Sequence, residues 1–131
     1  MENMFIENQS KYDYEETLQK LAVEIQAAGW GLKHTHDLQG MLKEKGLDVN
    51  AASVLEICKP PFANELLADD NLKIYASMMP CRISVYNKEN GKTYISRMNI
   101  EAFSSMIGGK VADIMGKAYS DVEAFLIHVI D

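Results

Sequence analysis

Cys58 and Cys81 are the only thiols of this chain. Each lies within two residues of a proline at the end of an apolar run, in "EICKPPF" and "MMPCRISVY". Two thiols can cycle between dithiol and disulfide, ligate a soft metal or supply a nucleophile. Lys59 follows Cys58 directly and Pro60-Pro61 is placed to open a helix, so a cation and a helix N-terminus both stand near that sulfur. Cys81 instead leads into the apolar strand of Ile83 and Val85, where burial blocks access. Cys58 is therefore expected to be the more reactive of the two. Strand parity sets Cys58 with Val54 and Glu56, and Cys81 with Ile83 and Val85, which predicts that the thiols face different layers. The bland alternative is that both pack as small apolar side chains, the usual fate of free cysteine.

Histidine offers a second set of ligands. His34 and His36 sit two apart in "WGLKHTH", a spacing that suits joint metal ligation from one strand face. Two imidazoles need a third or fourth ligand, and Cys58, Cys81 or Glu56 could supply it, so the candidate metal set is His34, His36, Cys58 and Cys81. A half-exposed strand face is the commoner meaning of such a pair. His128 falls near the end of the last helix, where the dipole favours it. Ser104-Ser105 lacks a nucleophile elbow, and Gly108-Gly109-Lys110 lacks the spacing of a P-loop, so both read as ordinary chain features. No catalytic group and no cofactor are identified by these patterns.

The elements that must position these residues follow from periodicity. "MFIEN" reads as a first strand. A helix starts after Asp13, with Glu16 completing a capping box, carries Leu18, Leu21, Ala22 and Ile25 at helical spacing, and stops at Gly29. "WGLKHTH" predicts a strand with Trp30, Leu32, His34 and His36 on one face. A short helix capped by Asp37 ends at Gly46, "ASVLEIC" is the next strand, and "PPFANELLADD" the next helix. Asn90-Gly91 suits a two-residue type I′ turn, which would set Tyr86 opposite Ile95 and Ser84 opposite Arg97. Ile83 and Val85 would then share their face with Tyr94 and Met98. Asn99 caps a short helix that breaks at Gly108-Gly109, and the final helix buries a stripe running from Val111 through Ala118 and Val122 to Val129. The pattern predicts an α+β fold in two layers, an antiparallel sheet backed by helices.

Composition narrows the class. A chain of 131 residues forms one domain, 1–131, large enough for a core without staples. Nineteen acidic against thirteen basic residues leave a net charge of −6, and the basic residues form no cluster, so neither nucleic acid nor membrane is an expected partner. No stretch has the length of a membrane span, the opening "MENMFIENQSKY" is too short in apolar residues for a signal peptide, and two cysteines build no disulfide framework; a cytoplasmic setting is expected.

Taken together, the leading helix "YEETLQKLAVEIQAAGWGL", "HDLQGMLKEKGLDV", "VLEICKPPFANELLADD" and "MMPCRISVYNKENGKTYIS" resemble the bacterial and archaeal family known as domain of unknown function 302, over about residues 5–130. In that family a strand ends in Cys-Asn-Pro and a later one begins after Leu-Pro-Cys. Here the motifs read Cys58-Lys59-Pro60 and Met79-Pro80-Cys81. Lys59 thus removes any role that an amide would have at that position. The resemblance implies a curved antiparallel sheet backed by helices, similar to the TATA-binding-protein-like arrangement, and a homodimer; it implies no reaction.

Three readings of function follow. The favoured one is a ligand-binding or sensing domain for a small molecule, with a pocket framed by Cys58, Lys59, Pro60, Pro80 and Cys81, because two proline-fixed turns preform a cleft. The second is a thiol- or metal-dependent enzyme using Cys58 and Cys81 with His34 or His36. The third is a structural or interaction module.

Overall fold

The structure is a computed structural model and describes residues 3–131. Five strands, β1 (Phe5–Gln9), β2 (Gly31–Asp37), β3 (Ala52–Cys58), β4 (Cys81–Asn87) and β5 (Thr93–Met98), form one antiparallel sheet in the order β1-β5-β4-β3-β2. The helices are α1 (Tyr14–Ala27), α2 (Leu38–Lys43), α3 (Pro60–Leu67), α4 (Ile100–Ile107) and α5 (Gly109–Leu126), and a 3-10 segment spans Lys73–Met78. None of them is long and apolar enough to cross a membrane.

Local chemistry sets the helix starts. The Asp13 carboxylate accepts the Glu16 N–H at 2.9 Å, satisfying one orphan donor of α1, and Thr17, Leu21 and Ile25 then point from successive turns into the core. Asp37 does the same for α2 through the Gly40 N–H at 3.0 Å. Every residue of the expected α5 stripe is buried, and Tyr119 joins it one position off the pattern. Alternate residues of β3, β4 and β5, among them Leu55, Ile57, Ile83, Val85 and Ile95, close the core from the sheet side. The alternate residues of β3, β4 and β5 on the other face, among them Glu56, Arg82 and Ser96, are half-buried or exposed, as one-sided antiparallel sheets allow.

Two register details depart from the expectation. The pairing of β2 with β3 slips between Leu32 and His34, so Lys33 is an extra residue. That bulge moves Leu32 opposite Ile57, on the helix side, while His34 and His36 oppose Glu56 and Val54 on the open face. Trp30, buried against Phe62 of α3, therefore does not share a face with the histidines. At the hairpin, Tyr86 pairs with Tyr94, Val85 with Ile95 and Ser84 with Ser96, one step from the two-residue-turn register. The Gly91 N–H bonds Lys88 O at 2.9 Å and the Lys88 N–H bonds Lys92 O at 3.1 Å, closing a three-residue loop with Gly91 at φ +78°. Only glycines have positive φ among the described residues, whereas a type I′ turn would require it of Asn90 as well. The added loop residue turns Ile95 and Arg97 to the helix side and Tyr94, Ser96 and Met98 to the open face.

Arg97 is consequently a buried cation, 4% exposed. Its Nε and Nη2 donate to the two carboxylate oxygens of Glu123 at 2.7 and 2.6 Å, and Nη1 donates to Asn8 Oδ1 at 2.6 Å. This fork joins β5, β1 and α5.

Candidate functional site

The two cysteines lie on neighbouring strands. Cys81 stands opposite Ile57, which makes Cys58 its diagonal neighbour across the β3–β4 pair. Cys81 is buried on the helix side and Cys58 is half-buried at the end of β3. Both are free, and both border a cavity of about 30 Å³ beneath Trp30 and Phe62. Lys59 and Pro80 border it too, whereas Pro60 does not, so four of the five expected pocket residues come together. The cavity is apolar and holds about a water molecule or two, far below a ligand-sized pocket of roughly 300–1,000 Å³.

Lys59 does not serve Cys58. Its ammonium donates to Asp121 Oδ2 at 2.9 Å and to the Ala28 carbonyl at 3.0 Å, and Trp30 Nε1 donates to the same Asp121 oxygen at 2.6 Å. Burial alone would raise the Asp121 carboxyl, but the hydrogen bonds from Lys59 and Trp30 outweigh it and hold the carboxyl below its ordinary range. The lysine of the Cys-Lys-Pro motif is thus a strut between α3 and α5.

The four candidate metal ligands do not assemble. His34 and His36 touch edge to face, 4.2 Å between ring centroids, on the open face. Cys81 lies on the opposite side of the sheet. His36 Nε2 is 2.9 Å from Glu56 Oε1, which also receives Arg82 Nη2 at 3.3 Å. The His36 contact, with Arg82 adding to it, holds the Glu56 carboxyl below its ordinary range. Among the described residues no three His, Cys, Asp or Glu side chains are grouped so as to hold a metal ion.

A larger space opens on the other side of the Pro80–Arg82 segment. Pairing between β4 and β5 stops at Ser84–Ser96, yet β4 continues to Cys81 along β3 and β5 continues to Met98 along β1. The strands part there, and a groove of about 340 Å³ enters the sheet from its open face. Met78, Pro80 and Val54 form one wall and Phe5 and Met98 the other, with the Ser84 and Ser96 hydroxyls and Arg82 at the rim. Tyr119 of α5 lies at its floor. Its phenol lies beside the Cys81 thiol and the backbone of Arg82. Burial pushes the Tyr119 phenol well up and the Cys81 thiol to about 11, so both stay protonated at neutral pH.

Tyr119 and the serine pair are absent from the sequence-derived site. Tyr119 lay one residue beside the α5 stripe, where it reads as core. Ser84 and Ser96 become neighbours only in the observed hairpin register.

The family model described as domain of unknown function DUF302 matches residues 6–131. Among solved structures the chain is similar to the crystal structure of an uncharacterized conserved protein DUF302 from Bacillus stearothermophilus. The TM-score is 0.84 at 23% identity, covering 95% of this chain and 97% of that one. No curated protein matches the sequence significantly. The structural likeness carries the fold.

Proposed function

The chain belongs to the family described as domain of unknown function DUF302, and from that premise, which brings a fold and no reaction, we propose that it is a small-molecule-binding domain whose site is the groove between β4 and β5. The observation that carries this reading is the parting of the two strands beyond Ser84–Ser96, which leaves about 340 Å³ between apolar walls with hydroxyls at the rim. That volume lies at the small end of ligand pockets, and the apolar walls together with the hydroxyls and guanidinium suit a ligand with both an apolar and a polar part. The Cys81 segment keeps its place in the proposal as the wall between the groove and the smaller cavity. The thiols have a packing role here, since the cavity they border is too small for an organic ligand.

Titrating isotope-labelled protein with neutral aliphatic and aromatic fragments tests the site by amide chemical shifts. Changes are expected to centre on Ser84, Ser96 and Met98, and Ser96→Phe, which fills the groove, should abolish them. Changes centred on Trp30 and Cys58, or none at any residue, would refute the assignment.

The assembly follows from a different feature. Helix α2 has no buried residue, and Met41, Leu42, Leu47 and Val49 are all exposed on the arm that joins β2 to β3. We infer that a second copy of the chain covers this arm, since a two-fold contact buries the same apolar patch twice. Light scattering should give twice the chain mass at tens of micromolar, and Met41→Asp with Leu47→Asp should return it to the single-chain mass. A wild-type mass of one chain rules the dimer out.

A further inference from the structure

Two guanidinium groups border the groove, and they differ in what remains free. All three Arg97 nitrogens hold short bonds, to Glu123 and Asn8, and the side chain is buried. Arg82 has one long contact, Nη2 to Glu56 Oε1 at 3.3 Å, and its side chain is 56% exposed. Glu56 is itself shared with His36. A guanidinium has five N–H donors in a planar fork that fits a carboxylate with two parallel bonds. Most of the Arg82 fork is therefore uncommitted, at the rim of a groove whose walls are Phe5, Val54, Met78, Pro80 and Met98.

Resting on the groove reading above, we propose that the ligand is an amphipathic monocarboxylate: an apolar body between the two walls, and a carboxylate on Arg82 with the Ser84 and Ser96 hydroxyls alongside. One free guanidinium matches one negative charge. The adjacent Glu56 carboxylate and the net charge of −6 disfavour a phosphate dianion, which would need a second cation. Arg97 cannot provide it, because its donors are already taken. The apolar walls disfavour a small hydrophilic acid, which would leave them wet.

Calorimetric titration of the full chain with octanoate, 1-octanol and inorganic phosphate separates the possibilities. Octanoate should bind at least tenfold more tightly than octanol, and phosphate should show no saturable binding. Arg82→Gln should erase the preference, bringing the octanoate affinity down to that of octanol. Arg82→Lys should restore only part of it, since an ammonium cannot form the fork. Added salt should narrow the wild-type preference. Equal affinity for octanoate and octanol, or a preference that survives Arg82→Gln, overturns the carboxylate assignment and leaves the groove standing. Phosphate binding as strong as that of octanoate overturns the amphipathic assignment. Failure of both octanoate and octanol to bind removes the groove reading, and the carboxylate with it.

Discussion

Glu123→Ala should lower the unfolding free energy by about 3 kcal/mol, because it leaves the Arg97 guanidinium buried and uncompensated. The side chain of Arg97 is only 3% exposed, while Glu123 is 40% exposed, so the two halves of the pair are unequal. Removing the carboxylate strands a largely buried cation with Asn8 as its one remaining partner. Removing the cation instead leaves a carboxylate that water can solvate. Arg97→Met is accordingly expected to cost less, about 1 kcal/mol, since an apolar chain of similar length refills the space. Urea unfolding of both variants gives the comparison. A cost for Arg97→Met equal to or above that for Glu123→Ala would contradict this account. The double variant should lie close to Arg97→Met, because the stranded charge is then gone.

The second expectation concerns the thiols. Burial pushes Cys81 from 9.0 to about 11, against which the Tyr119 hydrogen bond acts only in part. That rise leaves Cys81 about 100-fold less thiolate near neutral pH than an ordinary cysteine would have, and the reagent must also reach a buried sulfur. A higher pKa also makes the remaining thiolate more nucleophilic, so limiting iodoacetamide on native protein should alkylate the half-buried Cys58 about tenfold or more faster than the buried Cys81, as read by peptide mass spectrometry. Comparable rates would mean that Cys81 is open to solvent. The same shift has a consequence for stability. Between pH 9 and about 11 the unfolded chain ionises at Cys81 while the folded chain keeps its proton. The unfolded state then binds fewer protons, so stability falls as pH rises through that window, by up to about 1.4 kcal/mol per unit, and is unaffected by this group below it. Cys81→Ala should flatten the slope near pH 9–10. The part that persists at higher pH is shared by Tyr119, Tyr14 and Tyr86, whose phenols burial raises in the same direction.

Both expectations depend on residues whose sequence signal was ambiguous. Arg97 alternates with Ile95 in a strand, and nothing in "TYISRM" says whether that pair or Tyr94 and Met98 faces the helices. One loop residue decides it, because strand side chains repeat every two positions and a single step turns all of them over. Lys59 stands next to Cys58 in the sequence, yet its ammonium is held by Asp121, 62 positions away in the chain. The direction of the expectation is kept on the burial of Cys81 alone.

What the sequence determined by itself was local. Asp13 and Asp37 accept N–H groups three residues on, the α5 stripe repeats at helical spacing, and "ASVLEIC" alternates buried and half-exposed residues along its whole length. Each of these depends on groups within a few residues of one another, so the chain carries the information in order. The Lys33 bulge, the three-residue hairpin loop and the parting of β4 from β5 were decided by tertiary structure. They balance the pairing of each strand against two neighbours and against the helix layer at once. Tyr119 became the groove's floor only because α5 carries it beneath Arg82 at the place where the β4–β5 pairing ends. Spacing along one strand specifies which residues share a face, but only packing against the whole layer decides which face that is.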